Sequence, residues 1–168
     1  MRAALLVALA LAGPAHALTS AEIDALWRFD DPATSEQRFR AERMRWPDGS
    51  REAIEIDTQV ARSLGLQKRY DDANALLDRI VPSLASLPPR VEVRWLLEHG
   101  RTLNSSGAPQ RAVPAFAAAI QRSGDDREPD AAYYRIDALH MMGIAEPAGA
   151  RTAWNRRALA AADAATEP

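Results

Sequence analysis

The sequence contains no cysteine among its 168 residues. This excludes disulfide bonds, thiolate nucleophiles, thiolate metal sites and a lipid anchor on an N-terminal cysteine. Glycine is scarce, at 8 residues, and runs of β-branched residues are nearly absent, so the composition favours helices. The 21 basic and 23 acidic residues almost balance, so the chain lacks the strong basic excess that is typical of nucleic-acid-binding proteins.

Long hydrophobic runs are also lacking, apart from one at the N-terminus. There the basic start Met1-Arg2 precedes an apolar run at residues 3–13, AALLVALALAG. This run is shorter than the roughly 20 residues needed to cross a bilayer core. Pro14 ends it, and Ala15 and Ala17 place small residues at the two positions that a signal peptidase reads. We therefore expect a signal peptide over residues 1–17, cleaved after Ala17, and a periplasmic or secreted chain over residues 18–168. The alternative is an apolar N-terminal helix of a cytosolic domain.

The remaining chain contains a repeat that four anchor residues mark. Pro32, Tyr70, Pro109 and Pro147 follow one another at spacings of 38, 39 and 38 residues. Each anchor has a small residue three positions later, a large apolar residue seven positions later and an apolar residue six positions earlier. The large residues are Phe39, Leu77, Phe116 and Trp154. Because proline suits the first turn of a helix, each anchor predicts the start of the second helix in a helix–turn–helix unit.

The pattern predicts four such units, over about 19–46, 51–82, 89–124 and 128–163. Their eight helices are expected over about 19–29, 33–45, 51–65, 69–80, 89–105, 109–123, 128–142 and 148–163. The small residue lets the two helices of a unit approach each other, and the large residue fills the space beside it. One such pair cannot bury its apolar face alone, whereas stacked pairs can.

Two stretches resemble the tetratricopeptide repeat (TPR) family. QKRYDDANALLDRI (67–80) is similar to the family's turn and second helix, and RWLLEHGRTLNSSGAPQRAVPAFAAAI (94–120) is similar over a whole repeat. In the latter, Gly100 matches the family's small position, Gly107 its turn glycine and Phe116 its large residue. The units exceed the usual length of about 34 residues, so the longer Sel1-like relatives remain an alternative. The resemblance implies an all-α, α-hairpin solenoid with protein-binding function and no catalytic residues.

The family geometry implies that the first helix of each unit lines a concave groove. The expected groove residues include Arg62, Arg94, Arg101, Asn104 and Arg135. Guanidinium groups form bidentate pairs with carboxylates, and an asparagine can hydrogen-bond a peptide backbone. We hypothesise that this groove binds an acidic or C-terminal carboxylate segment of another exported or envelope protein. The alternative is a solvated face whose arginines pair with Glu55, Glu98 or Asp137 of the chain itself.

No motif points to a cofactor, a resident metal or a catalytic constellation. His140-Met141-Met142 offers ligand types that suit copper, but Met141 falls on a position expected to be buried. A secreted enzyme with a non-obvious site and a metal-handling protein remain alternatives to a non-enzymatic adapter. The last predicted helix is alanine-rich and no further helix is predicted to cover it, so we also expect weak self-association.

Overall fold

The computed structural model describes residues 17–124 and 130–166. Over these ranges the chain forms eight α-helices and no strand, which confirms the all-α class. The helices are α1 (Ser20–Ala25), α2 (Pro32–Arg43), α3 (Arg51–Leu66), α4 (Tyr70–Leu84), α5 (Pro89–Ser105), α6 (Pro109–Arg122), α7 (Ala131–Ala145) and α8 (Ala148–Thr166).

The four anchors lie at the starts of the even-numbered helices, as predicted. Pro32, Tyr70 and Pro109 are the first residues of α2, α4 and α6, and Pro147 directly precedes α8. The first N–H of a helix has no partner within the helix, so a proline at this position loses no hydrogen bond. The repeat in the sequence therefore corresponds to a repeated helix start.

The turns before two of the anchors share a left-handed backbone conformation two residues ahead of the anchor. Gly107 has φ +90° and Lys68 has φ +62°. Glycine adopts this region without penalty, whereas a residue with a Cβ is strained there. The third unit thus uses the residue that the turn favours, and the second unit tolerates a lysine.

Several helices are capped by side chains that lie just before them. The hydroxyl of Thr19 accepts a hydrogen bond from the backbone N–H of Glu22, and the Glu22 carboxylate accepts one from the backbone N–H of Thr19. Asp31 and Ser50 cap α2 and α3 by accepting from the backbone N–H groups of Thr34 and Ala53, without the reciprocal bond. These caps satisfy N–H groups that the helices leave unpaired.

Several helix ends differ from the predicted bounds; α7 and α8, for example, each end three residues later than predicted, at Ala145 and Thr166. Helix α1 ends at Ala25, because the N–H groups of Leu26 and Trp27 bond to carbonyls three residues back and tighten the last turn. Helix α4 continues to Leu84 with Pro82 inside it. The proline removes one backbone donor, while Leu84 packs against the core. The expected start of the seventh helix, at 128–129, lies outside the described residues.

From α2 to α8, each helix contacts the next helix in the sequence, and two further contacts join odd-numbered helices. Helix α3 packs against α5, and α5 packs against α7. These three helices therefore lie side by side, with α4 and α6 each placed between its two sequence neighbours. None of the helices within the described ranges is long and apolar enough to span a bilayer.

The large residues that follow the anchors form the centre of the packing. Phe39, Leu77 and Phe116 are fully buried, as predicted, but Trp154 is only partly buried. Trp154 lies on α8, the last helix described, and the Arg157 guanidinium lies 4.3 Å from the centroid of its ring. A core cluster around α1–α4 and another around α5–α8 both pack against Trp95.

Candidate functional site

The side of the molecule formed by the odd-numbered helices contains two adjoining cavities. The first measures about 140 Å³ and lies where residues of α3, α5 and α7 meet the segment that follows α1. The second measures about 270 Å³ and lies further along the same three helices. Both cavities are lined by Arg62 and Glu98. We call the two together the groove; its further lining includes Asp24, Trp27, Phe29, Gln59, Leu66, Arg94, Arg101, Asn104, Asp130, Tyr133, Tyr134, Asp137, Met141 and Ile144.

Glu55 of α3 forms one centre of charge behind the first cavity. Its side chain is fully buried, and its two oxygens face different guanidinium groups. Arg90 Nη2 lies 2.9 Å from Glu55 Oε2, and Arg94 Nε lies 3.0 Å from Glu55 Oε1. A buried charge is tolerated only when it is paired. These contacts therefore hold Arg94 in the wall of the cavity, with its guanidinium also 5.0 Å from the centroid of the Tyr134 ring.

Glu98 of α5 forms the other centre and lies between the two cavities. Arg101 Nη1 donates to Glu98 Oε1 at 2.7 Å, and Arg62 Nη1 lies 3.7 Å from the same oxygen. Arg101 Nη2 also binds the carboxylate of Asp137 on α7. Burial by itself lowers the pKa of Arg101, but the carboxylates of Glu98 and Asp137 outweigh it and raise that pKa. Arg101 is thus a permanent cation that joins α5 to α7.

Four of the five predicted groove residues do line the groove. Arg62 and Arg94 line the first cavity, and Arg62, Arg101 and Asn104 line the second. The three arginines are paired with carboxylates of the chain itself, namely the pairs with Glu55, Glu98 and Asp137 that we considered as the alternative. Their positive charge is therefore already balanced within the fold.

Arg135 differs from the expectation. It lines a separate cavity between α7 and α8, together with Arg157 and a row of alanines. Arg135 lies twelve residues before its anchor Pro147, and Leu97 of α5 lies twelve residues before its anchor Pro109. Leu97 lines the first cavity, whereas Arg135 lines the cavity beside α8. The same offset from the anchor therefore does not face the groove in the fourth unit.

Three buried polar atoms in the groove make no hydrogen bond of good geometry with a described residue. Arg94 Nε is one of them, although it lies 3.0 Å from Glu55 Oε1 in an ion pair. The others are Glu98 Oε2, on a residue that is 2% exposed, and the hydroxyl of Tyr134, which is 4% exposed and has the Ser20 side chain as its polar neighbour. Burial raises the pKa of Tyr134 to about 12, so its phenol stays protonated at neutral pH. An unpaired buried polar group is costly to the fold, and Glu98, whose Oε2 is such a group, lines both cavities.

Aromatic side chains border the first cavity. Phe29 is 64% exposed and stacks on Trp27 with the ring centroids 4.8 Å apart. The Arg62 guanidinium lies 5.3 Å and 5.7 Å from the centroids of these two rings. Tyr133 is 60% exposed on the side of α7. Exposed apolar side chains that border a cavity are typical of interaction sites.

Glu98 and Tyr133 were not predicted as functional residues, although the sequence contains a signal for Glu98. Glu98 lies eleven residues before the anchor Pro109, and Gln59 lies eleven residues before Tyr70. Both line the first cavity, so this offset also faces the groove. Phe29 follows α1 and Tyr133 lies in the first turn of α7, and no repeat position relates the two.

Comparisons of the chain with protein-family models, with curated proteins and with solved structures gave no match. Function must therefore be argued from the groove itself. Across the part of the chain that the structure describes, no three His, Cys, Asp or Glu side chains form a group suited to a metal ion. His140 is exposed, whereas Met141 and Met142 are buried in the core, so these three side chains do not converge on one point.

Proposed function

We propose that this protein is an exported, non-enzymatic adapter of the TPR-like kind, which holds an extended segment of another exported or envelope protein in its groove. The observation that carries this proposal is the pair of adjoining cavities on one face, with exposed apolar side chains along both. Phe29 and Tyr133 border the first cavity, and Leu66 and Ile144 border the second.

The arrangement of helices α3 to α8 supports a TPR-like stack of helix pairs. In such a stack the first helices of successive pairs contact one another and line the concave side. The contacts of α3 with α5 and of α5 with α7 agree with this arrangement, as do the anchors at the helix starts. A stack of helix pairs presents an extended binding surface, which suits an elongated ligand better than a small molecule.

The chemistry of the groove supports a peptide as the ligand. Asn104 lines the second cavity at a half-buried position and can both donate to and accept from a peptide backbone. The exposed fractions of Leu66 and Ile144, 50% and 44%, leave apolar surface for the side chains of a partner. A segment that crosses both cavities would cover these groups and pass over Arg62 and Glu98.

The contacts of the residues that follow Ala17 are compatible with cleavage at that position. Leu18 is buried in the core cluster, and its carbonyl accepts a hydrogen bond from Arg51 Nη2 at 3.4 Å. Thr19 then caps α1. A chain cleaved after Ala17 would therefore retain every one of these contacts.

A peptide-selection experiment tests the proposed function. The purified protein is immobilised and challenged with a phage library of random heptapeptides, in parallel with a Tyr133→Ser/Ile144→Ser variant that removes one exposed apolar side chain from each cavity. A Val81→Ser variant is the matched control, since Val81 is 46% exposed on α4 and lines neither cavity. We expect peptides to be enriched on the wild type and on the control but not on the double variant. Equal enrichment on all three proteins would contradict the proposal.

A further inference from the structure

We infer that the segment bound in the groove is basic and apolar, with a lysine or arginine side chain in the first cavity and an apolar side chain in the second. This inference rests on the proposed function and reverses the charge of the acidic ligand expected from the sequence. It depends on three observations: the balance of charge around the first cavity, the unpaired acceptor between the two cavities, and the apolar lining of the second.

The charged groups around the first cavity favour a cationic ligand. Its lining carries two guanidinium groups and four carboxylates, from Arg62 and Arg94 and from Asp24, Glu98, Asp130 and Asp137. Glu55, together with the arginines that pair with it or with the lining carboxylates, Arg51, Arg90 and Arg101, brings the totals to five carboxylates and five guanidinium groups. The excess of carboxylates therefore lies in the lining of the cavity itself, where a ligand would meet it. An anionic ligand would have to compete with these carboxylates for cations that they already bind.

Asp24 is the carboxylate most open to a ligand. It is exposed at the mouth of the first cavity, and no ion pair joins it to another side chain within the described ranges. A cationic side chain that enters the cavity would pass this group first. Asp24 can therefore attract a cationic ligand without giving up an ion pair to another described residue.

Glu98 Oε2 supplies the deeper contact. This oxygen is buried and accepts no hydrogen bond from any described residue, whereas Oε1 of the same carboxylate is bonded to Arg101. A buried carboxylate oxygen is stabilised by an N–H donor. An ammonium or guanidinium group meets this need, whereas a second carboxylate would add repulsion. The Tyr134 hydroxyl, which lies beside the Ser20 side chain, offers a further polar contact in the same cavity.

The second cavity has apolar side chains in its lining, and we assign the apolar half of the bound segment to it. Leu66, Met141 and Ile144 line it, opposite the polar groups of Thr102 and Asn104. The cavity measures about 270 Å³, and burial of an aliphatic side chain there would be favourable because it removes apolar surface from water. The shared Arg62 and Glu98 place the two cavities side by side, so neighbouring positions of one segment would reach both.

The sequences of the peptides selected from the heptapeptide library give the first test. The inference predicts enrichment of lysine or arginine beside an aliphatic residue. Groove-dependent peptides that are acidic or uncharged would overturn this inference and leave the proposed function standing. If no peptide depends on the Tyr133 and Ile144 side chains, both proposals fail.

Binding of one selected peptide, synthesised with a fluorescent label and measured by anisotropy, gives the second test. We expect Asp24→Asn to weaken binding about threefold, as is typical for an exposed charge pair. Glu98→Gln, which keeps the shape and removes the charge, should weaken it about tenfold or more. Asp71→Asn on α4 makes the same change of charge as Asp24→Asn at an exposed position outside both cavities, and it should leave the affinity unchanged.

Thermal melts of each variant separate a loss of binding from a loss of folding. Because Asp24 is exposed and makes no ion pair among the described residues, its variant keeps the experiment decisive even if Glu98→Gln unfolds. The inference is overturned if Asp24→Asn binds the peptide as tightly as the wild type does, or if replacing the peptide's basic residue by glutamate strengthens binding.

Discussion

Replacement of Gly100 by alanine should destabilise the protein, although alanine is the better helix former. A Cβ at this position would lie 2.5, 2.8 and 2.9 Å from three atoms of the Phe116 ring. Carbon atoms in contact are normally at least about 3.5 Å apart, so the ring would have to retreat by about 1 Å. Phe116 is fully buried, and helices α5 and α6 would therefore have to separate.

The magnitude follows from two opposing terms. Overpacking a core costs about 1–3 kcal/mol, and a fully buried ring with three close contacts places this case near the upper end. Alanine recovers about 1 kcal/mol of helix propensity. The net loss in the free energy of unfolding should be about 2 kcal/mol, which corresponds to a fall of about 4–8 °C in Tm for a chain of this size. Thermal and urea unfolding followed by circular dichroism measure this loss.

Two other helical glycines provide matched controls. At Gly65 the nearest atom to an added Cβ is Thr102 Oγ1 at 3.8 Å, an ordinary contact, so Gly65→Ala should be neutral or stabilise by about 0.5–1 kcal/mol. At Gly143 the close neighbour is the end of the exposed Asn155 side chain, which can rotate away. A Gly100→Ala variant that is as stable as Gly65→Ala would refute the close approach of α5 and α6. Phe116→Leu should restore part of the loss in the Gly100→Ala background.

Four further outcomes are expected. Lys68→Gly should raise the free energy of unfolding by about 1 kcal/mol, because Lys68 occupies a left-handed backbone position that penalises a Cβ; an unchanged or lower stability would contradict the turn geometry. Burial lowers the pKa of His99 below 6.5, so the unfolded chain takes up the proton first and stability is lost as the pH falls below about 6.5. His99→Gln should lose less stability than the wild type between pH 7 and pH 5 in urea titrations, and parallel curves would refute this. Expression in a bacterium with an intact export pathway should yield a mature chain that begins at Leu18, as read by intact-mass spectrometry; an uncleaved chain would contradict export. Sedimentation should show weak self-association that Leu159→Ser, on the exposed side of α8, reduces, whereas a strict monomer at high concentration would exclude it.

Much of the helical architecture could be predicted from the sequence, because the signals are local. A proline at a helix start and a small residue followed by a large one act within a single turn or a single helix pair. For this reason Pro32, Pro109 and Phe116 lie where the pattern placed them. The early end of α1 and the continuation of α4 through Pro82 depend instead on packing, which the local pattern does not contain.

The lining of the groove could be predicted only in part. The repeat offsets put Arg62, Arg94 and Arg101 on one face, and all three line the two cavities; that they contact a partner stays a prediction. Their pairing with carboxylates depends on distances between helices, such as that joining Arg101 to Asp137 on α7, and those distances follow from the packing of the helices. Arg135 lies in the cavity between α7 and α8 and not in the groove. Helix α8 is the last helix described, so the packing around this pair differs from that around the earlier pairs, and the repeat offset does not contain that difference.

Site-specific photo-crosslinking in the native envelope tests the groove most directly. A photoreactive phenylalanine analogue is placed at position 133, beside the first cavity, or at position 81 on α4 as the control, and the crosslinked segments are sequenced by mass spectrometry. We predict that position 133 captures a defined segment carrying lysine or arginine next to an aliphatic residue, and that position 81 does not. Equal capture at the two positions, or an acidic segment at position 133, would contradict the function and the charge preference, respectively, that we propose for this groove.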